Sequence, residues 1–541
     1  MRTSSSRIAT ALLAVVLAGC GDREEIYDAP LPFGVQSVGL EGQVALIDGA
    51  AARVALLTPR ADQALDVSFL RVGRGIIRTE ASPDGKRLFV LTTGDVPRRK
   101  GKDEKAALVV IENGAARSYP LESPHSGFAI DPLGRWVALY AAPTTGGVGG
   151  GSAVQANFVE NPNEIVFIDL QAPVETAVTP RTLRSFGGRP QRLTFTSQLA
   201  LPGGIRRLAV VETNQDLSIL DLDNVAAKPA RPEITLRLTS GGSNVALQPA
   251  GIAFDDGDPN RNDDARIGVR IVGNPNVFTF TLVPNPGAAP IDPDTVPNDF
   301  RPEPNLTDVG GAPEDIVFVR TEAGVRLAAI VPSTQSAVLV DPATSITSKV
   351  EMGAAFAKIS LITNVVGGAA GTDTALLYGP GSSGVAFWSL GRATGQTYRT
   401  VEIVPLSFPV SEILAVPPPR PELKVLRSNQ SADFFVLDLA SRTAAPLTTI
   451  GSASLHVARD GQRLWAFAGS NLAHVALENL HPTPLPLDRP ISNVYDIARA
   501  DGGRSLVAID PRGAAGATVL DALAPDTTAS RSYYGLLLED L

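Results

Sequence analysis

The stretch EASPDGKRLFVLTTG, residues 80–94, contains the pattern that decides the fold. It reads as the end of one strand, a tight turn at Asp84 and Gly85, and a second, apolar strand. An Asp-Gly pair between two apolar runs is a strong local signal for a β-hairpin, because glycine adopts the backbone conformation that such turns require. The pattern therefore predicts a hairpin here.

The same pattern recurs along the chain. Its clearest other copies are AIDPLGRWVALYA from residue 129, HVARDGQRLWAFA from 456 and IARADGGRSLVAI from 497. A third apolar strand follows each copy, often ending in Asp, as in EIVFIDL from residue 164 and FFVLDLA from 434. A more polar fourth strand, such as EITLRL from residue 233, precedes the next copy. The repeating unit is thus predicted to be a four-stranded antiparallel meander.

A four-stranded sheet with two apolar faces is predicted to stack against other sheets, because alone it would leave both faces in water. Repetition of four short strands at intervals of roughly fifty residues is typical of a β-propeller. The phrase SPDGKRLFVLT resembles blades of the YVTN and YncE-like propellers and of the related TolB-type and WD40-like propellers. That resemblance implies that the Asp-Gly turn joins the innermost strand to the second, and that the Asp-ending strand is the third.

The number of blades is predicted from the spacing of the units. Ten candidate units begin near residues 34, 76, 125, 189, 247, 312, 355, 409, 452 and 491. We expect an all-β chain in which residues 34–541 form one closed ring of eight or more blades. Two smaller tandem propellers are the alternative, with a seam in the proline-rich segment 284–310. The first unit lacks the turn phrase, so its strands could instead complete the C-terminal blade and close the ring.

The composition agrees with a globular all-β protein and argues against nucleic acid as a partner. Of the 541 residues, 44% are hydrophobic and 19% charged, and the net charge of −9 repels phosphate backbones. One basic run, RRKGKDEK at residues 98–105, is short and mixed with acids.

The N-terminus MRTSSSRIATALLAVVLAGC has a basic start, an apolar stretch and small residues before Cys20. This layout predicts a signal peptide at residues 1–19, too short to be a membrane-spanning helix. LAGC resembles the lipobox of bacterial lipoproteins, which implies cleavage between Gly19 and Cys20 and lipidation of Cys20. Because Cys20 is the only cysteine, it cannot form an internal disulfide.

The resemblance to lipoproteins also predicts a location. Gly21 rather than Asp follows Cys20, which by the sorting rule for such proteins favours the outer membrane. We expect a lipid-anchored protein on the periplasmic face of the outer membrane or at the cell surface. Residues 20–33 would be its lipidated N-terminus and tether.

The acidic loop at residues 255–264 partly resembles a calcium-binding loop. Oxygen-bearing side chains alternate along it, as in the first half of an EF-hand loop. The remaining EF-hand positions do not match, since Arg261 and Ile267 replace the glycine and the bidentate glutamate. No metal or other cofactor is therefore expected, and calcium is only a weak candidate, with the ligands Asp256, Asp258, Asn260, Asn262 and Asp264.

No catalytic motif is found. The chain has no G-x-S-x-G elbow, no phosphate-binding P-loop and no pair of histidines at zinc-ligand spacing. Polar residues near the starts of innermost strands can face a central channel, and His125 and His456 could meet there. These candidates are Arg78, His125, Arg192, Glu314, Asp315, Lys358, Glu412, His456 and Asp496.

Two functions follow from these features. The first is a non-catalytic, membrane-anchored propeller that binds a protein or an envelope polymer. In plan it resembles the propeller lipoprotein of the outer-membrane β-barrel assembly machinery, without a motif specific to that family. The alternative is a lactonase-like hydrolase with a divalent metal in the channel, which would require several carboxylates or histidines at one channel mouth.

Overall fold

The computed structural model describes most of the chain after the N-terminus. The predicted signal peptide and tether, including Gly19 and Cys20, lie outside the described residues. Those residues are 35–96, 101–143, 161–184, 186, 188–239, 245–287, 289, 295–362, 373–390, 401–428, 433–447 and 454–538.

The described residues form ten four-stranded antiparallel sheets, each built from strands that are consecutive in sequence apart from one inserted hairpin. We number the sheets as blades 1–10 and the strands as β1–β42 in chain order. The first five blades contain the following strands: blade 1, β1 Gln36–Gly39, β2 Val44–Asp48, β3 Arg53–Pro59 and β4 Leu65–Arg71; blade 2, β5 Ile76–Ala81, β6 Arg87–Thr92, β7 Ala107–Glu112 and β8 Ala115–Pro120; blade 3, β9 Gly127–Ile130, β10 Trp136–Tyr140, β11 Glu164–Asp169 and β12 Val178–Thr182; blade 4, β13 Pro190–Phe195, β16 Leu208–Thr213, β17 Asp216–Asp221 and β18 Ile234–Arg237; blade 5, β19 Pro249–Asp255, β20 Ala265–Ile271, β21 Asn276–Pro284 and β22 Phe300–Asp308.

The second half repeats the same order without an insertion. Its strands are: blade 6, β23 Asp315–Thr321, β24 Gly324–Val331, β25 Ser336–Val340 and β26 Thr347–Glu351; blade 7, β27 Lys358–Ile362, β28 Thr374–Tyr378, β29 Gly384–Ser389 and β30 Val401–Pro405; blade 8, β31 Glu412–Ala415, β32 Leu423–Arg427, β33 Phe434–Asp438 and β34 Thr443–Leu447; blade 9, β35 Ser454–Val457, β36 Arg463–Ala468, β37 Asn471–Ala476 and β38 Pro482–Pro486; blade 10, β39 Asn493–Ala498, β40 Arg504–Asp510, β41 Gly516–Asp521 and β42 Arg531–Tyr534.

The ten predicted units are the ten blades. Each predicted start lies within three residues of the first strand of its blade. The inserted hairpin joins β14 Leu199–Leu201 to β15 Gly204–Arg206 in blade 4, where the sequence predicted a longer turn. Helical structure in the described residues is limited to a short α-helix, Val174–Ala177, and the 3-10 turns Leu222–Asn224, Pro332–Thr334 and Thr527–Ala529. None of these is long and apolar enough to cross a membrane.

The turn phrase joins the first strand of a blade to the second, as the resemblance implied. Gly85 has a φ of 72°, a left-handed conformation that glycine adopts without a Cβ clash. The glycines at the same place in blades 3, 9 and 10 share it, with φ of 72° at Gly134, 65° at Gly461 and 83° at Gly502. In blade 2 the Gly85 N–H donates to the Ser82 carbonyl oxygen, and the same bond closes the Gly134 and Gly461 turns. The repeated sequence therefore encodes a repeated turn geometry.

The core lies between blades. The second and third strands of blade 2 are almost wholly buried, whereas its first strand is half-buried and its fourth strand is exposed at the outer edge. Every pair of consecutive blades shares one apolar cluster, and a tenth cluster joins blade 10 to blade 1. The chain thus forms one closed ring, as predicted, and the alternative of two tandem propellers is wrong.

The ring closes by packing rather than by strand exchange. Blade 1 consists of four strands close in sequence, and so does blade 10, so the idea that the first unit completes the C-terminal blade is wrong. Leu46 and Leu57 of blade 1 pack in one cluster with Val507 and Leu537 of the C-terminal part. The Tyr495 hydroxyl donates to the Ser37 carbonyl oxygen at 2.8 Å, and Arg53 donates to the Leu537 carbonyl oxygen. These contacts replace the shared sheet that strand exchange would provide.

The proline-rich segment 284–310 is part of blade 5, not a seam between domains. Its end forms the outer strand β22, and Pro302 and Pro304 are tolerated because this strand lies at the sheet edge. Just before this strand, Asp299 forms ion pairs with Arg206 and Arg231 of blade 4, at 2.7 and 2.8 Å. The segment therefore ties two blades together.

The closing interface generates a prediction about stability. Leu537 is buried between blades 10 and 1, whereas its neighbour Leu538 is half-exposed. Leu537→Ala is expected to lower the free energy of unfolding by about 2–5 kcal/mol, because it leaves a cavity where the ring closes. The matched control Leu538→Ala should change it by less than about 0.5 kcal/mol. Thermal and urea unfolding measure both, and equal effects would contradict closure at this interface.

Candidate functional site

The propeller has two faces that differ in their connections. We call the face at which the first strands begin the entry face. The turn face is the opposite one, with the turns between first and second strands and between third and fourth strands. First strands of neighbouring blades contact one another, for instance β1 with β5 and β9 with β13, so they surround the centre of the ring.

The predicted channel residues lie along the first strands but do not converge, and two of them, His456 and Asp496, lie towards the turn face. They are spread over eight of the ten blades, blades 1 and 5 contributing none. Glu314 and Lys358 are exposed at the starts of blades 6 and 7. The other members of the set contact residues of their own or the next blade, so each is described with its neighbours.

Arg192, Glu412 and Arg78 each form an ion pair within their own blade. Arg192 makes a bidentate pair with Glu212, which lies opposite on the next strand, with distances of 2.6 and 2.8 Å. Glu412 pairs with Arg427, which also lies opposite it on the next strand, through one contact of 3.3 Å. Arg78 pairs with Glu80 at 2.7 Å and stacks on the Phe128 ring of blade 3. Their charges are therefore compensated locally.

Two predicted carboxylates join neighbouring blades. Asp315 of blade 6 accepts a hydrogen bond from the Ile359 N–H of blade 7 at 3.1 Å. Asp496 of blade 10 is buried, accepts from the Arg459 N–H of blade 9 at 3.2 Å and pairs with Arg504 at 2.8 Å. Both side chains satisfy backbone donors at blade junctions, which is a structural role.

His125 is fully buried in blade 3 and so does not line an open channel. Its Nδ1 lies 3.0 Å from the Ser123 carbonyl oxygen, and its Nε2 is 3.9 Å from Glu164 Oε1. Burial lowers the pKa of His125 to about 4, so the ring is neutral at physiological pH. A neutral, enclosed imidazole is typical of packing rather than of proton transfer at the surface.

His456 has a separate environment in blade 9. Its Nε2 is buried without a hydrogen-bond partner among the described residues, and burial lowers its pKa. The negative charge of Asp496 in blade 10 partly opposes this lowering of the His456 pKa. The predicted meeting of His125 and His456 is not observed, because each packs among side chains of its own part of the ring.

In the acidic loop considered for calcium, the carboxylates accept hydrogen bonds from backbone N–H groups. Asp256 accepts from the Ala200 N–H at 2.5 Å, and Asp258 accepts from the Asn260 N–H at 3.0 Å. Asp264 accepts from the Asp258 N–H at 3.0 Å. Within the described part of the chain, no three His, Cys, Asp or Glu side chains are grouped so as to hold a metal ion.

A groove on the turn face was not predicted from the sequence. It has a volume of about 970 Å³ and lies where turns of blades 10, 1 and 2 meet. Residues of three turns between first and second strands line it, including Glu41, Lys86 and Arg499. Turns between third and fourth strands add Arg60 and Asn113. No local pattern signals this groove, because its walls come from opposite ends of the chain.

The comparisons with known proteins show similarity of structure only. No family model matches the sequence, and no curated protein matches it significantly. Solved structures to which the chain is similar include dihydro-heme d1 dehydrogenase NirN (10% identity, TM-score 0.40, 85% of this chain and 75% of that one) and the Dos1 propeller (12%, 0.38, 71% and 89%). A third is BBS1N in complex with ARL6DN (10%, 0.32, 74% and 90%). The fold assignment rests on the ten sheets themselves: the chain is a ten-bladed β-propeller protein.

The buried His125 predicts a pH dependence of stability. Its pKa is about 4 in the folded chain and about 6.5 when unfolded, so the unfolded chain binds a proton that the folded chain does not. The stability contribution is complete above pH 6.5 and is lost as the pH falls towards 4. Lowering the pH from 7.5 to 5 should therefore reduce the free energy of unfolding by about 2 kcal/mol.

The measurement compares unfolding at the two pH values for the wild type and His125→Gln. The variant should lose about 2 kcal/mol less on acidification, whatever its stability at pH 7.5. His481→Gln, at an exposed histidine, is the control and should follow the wild type. Identical pH dependence of His125→Gln and the wild type would contradict the burial argument.

Proposed function

We propose that the protein is a non-catalytic binding or scaffold module of a bacterial cell envelope. In this proposal Cys20 carries the lipid that tethers it to the outer membrane, on the periplasmic face or at the cell surface. The propeller then holds a protein or an envelope polymer. The single observation that carries the binding role is the open groove of about 970 Å³ across three blades.

The chain length between Cys20 and the ring limits how far a lipid-anchored propeller could lie from the membrane. The first strand begins at Gln36, sixteen residues after Cys20. Even fully extended, that link spans only about 55 Å, so a lipid on Cys20 would keep the propeller close to the membrane. Several acyl chains on one residue would hold far more firmly than a single chain, which binds only marginally.

Blade 1 begins and turns on opposite faces of the ring. The chain enters blade 1 at Gln36 on the entry face and reaches the turn face after Gly39. The turn that follows, from Leu40 to Gln43, lines the groove. The described chain therefore enters the ring on the face opposite the groove.

Lipidation is tested in the native cell. Radiolabelled palmitate should label the wild type and not Cys20→Ser, because only a thiol accepts the diacylglycerol. The variant should also leave the outer-membrane fraction, whereas Ser5→Ala, a control within the signal segment, should keep both label and location. If the wild type is not labelled and fractionates in the same way as Cys20→Ser, the lipid anchor is contradicted.

Binding is tested by photo-crosslinking in intact cells. A photoreactive residue at Ala61 or Ala500, which are exposed in the groove, should give a discrete crosslinked product. The control position is Ser348, exposed on the outer strand of blade 6. Products from the groove positions and none from Ser348 are expected, and absence of products from both groove positions would contradict the binding role.

A further inference from the structure

The acidic loop of blade 5, residues 255–264, holds more negative charge than the neighbouring bases compensate. Asp255 pairs with Arg266 of β20 at 3.0 Å, and Asp263 pairs with Arg261 at 3.0 Å. The remaining carboxylates of the loop have no ion pair within 4 Å among the described residues; they are Asp256, Asp258 and Asp264. The loop therefore keeps an excess of negative charge on the turn face.

One of these three carboxylates is buried. Only 8% of Asp264 is exposed, and its Oδ1 has no hydrogen-bond partner among the described residues. Its other oxygen, Oδ2, accepts from the Asp258 N–H at 3.0 Å. A buried polar atom without a partner is rare in native proteins, because nothing replaces its lost hydration. The orphaned oxygen therefore indicates that a water molecule or an ion belongs beside it.

The Asp264 carboxylate points into the acidic loop. Its Cγ and both of its oxygens lie 2.5–2.7 Å from the position that a Cβ would take on Gly257. A side chain at residue 257 would collide with the carboxylate, and the φ of 71° at Gly257 is left-handed, so glycine is required there. The backbone of the loop thus passes directly against the carboxylate whose Oδ1 has no partner.

A second carboxylate of the loop uses only one of its oxygens. Asp256 Oδ1 accepts from the Ala200 N–H at 2.5 Å, on the inserted hairpin of blade 4. No described residue donates to its Oδ2. Asp256 precedes Gly257 in the chain, and Asp264 contacts Gly257 through space. Both carboxylates are therefore adjacent to the same glycine.

We propose that this loop binds a calcium ion, with Asp264 Oδ1 and the free oxygen of Asp256 among its ligands. An ion is favoured over water alone because three carboxylates of the loop lack a cationic partner. Calcium takes about six to eight oxygen ligands in flexible geometry, so amide oxygens, backbone carbonyls and water can complete a set with few carboxylates. Asn260 and Asn262 supply two amides in the same loop. The inference is independent of the proposed binding role.

The choice of calcium follows from the irregular loop. Magnesium requires nearly ideal octahedral geometry and gives up its water reluctantly, whereas calcium tolerates uneven oxygen sets. A bound calcium ion would also stabilise the junction of blades 4 and 5, because Asp256 already contacts the hairpin of blade 4 through the Ala200 N–H.

The experiment measures binding of radioactive calcium to the purified full-length protein by equilibrium dialysis. The wild type should bind with a Kd of about 10⁻⁴ to 10⁻³ M. Asp264→Asn should bind at least about tenfold more weakly, since it removes the charge while its amide oxygen can still accept from the Asp258 N–H. The matched control Asp263→Asn removes the same charge from a half-exposed, ion-paired residue of the same loop and should stay within about threefold of the wild type.

A second variant and a second readout guard against misfolding. Asp256→Asn keeps an oxygen for the Ala200 N–H and should also weaken calcium binding, by about fivefold or more. In thermal unfolding, calcium should raise the Tm of the wild type and of Asp263→Asn more than it raises the Tm of Asp264→Asn. Magnesium at the same concentration should have a smaller effect on the wild type.

Each other outcome has a defined consequence. No calcium binding by the wild type would overturn the site and leave Asp264 Oδ1 to a water molecule. Equal calcium affinity of Asp264→Asn and Asp263→Asn would overturn the role of Asp264. If Asp264→Asn does not fold, wild-type affinity in Asp256→Asn overturns the site instead. Magnesium binding as tight as calcium binding would overturn the choice of ion. The labelling and crosslinking tests of the proposed function are unaffected by these results.

Discussion

The structure depends on the packing of each blade against the next, because a four-stranded sheet with two apolar faces is not stable by itself. Ten blades create ten such interfaces only if the last blade meets the first. That contact joins residues more than 450 positions apart, such as Ser37 and Tyr495, without a strand shared between the ends of the chain. Side-chain packing at the closure, including Leu537, therefore completes the core of the whole ring.

Charged residues mostly serve this same architecture. The basic residue after the turn phrase pairs with the acid that ends the third strand, as Arg87 does with Glu112 and Arg135 with Asp169. Arg87 also donates to the Gly134 carbonyl oxygen of the next blade. The basic residue after the turn and the acidic residue that ends the third strand thus form one ion pair of the repeat.

Much of the fold could be predicted because it is encoded locally. The turn at Gly85 needs a left-handed glycine, and the alternation of apolar strands sets the start of each blade. The roles of Asp496 and His125 could not be predicted. A polar residue at the start of an inner strand can face the channel or a neighbouring blade, and only the packing of that neighbour decides which. Arg459 shows the same limit, since its contact with Gly85 joins blades 9 and 2.

The sequence by itself determined the four-stranded unit, its repetition, the turn chemistry and the expectation of a lipid on Cys20, because all of these depend on residues close together in the chain. The tertiary structure decided that all ten units form one ring, that the ring closes without strand exchange, and that turns from its two ends line an open groove. Those features depend on contacts between distant segments, and no local pattern of residues specifies which distant segments meet.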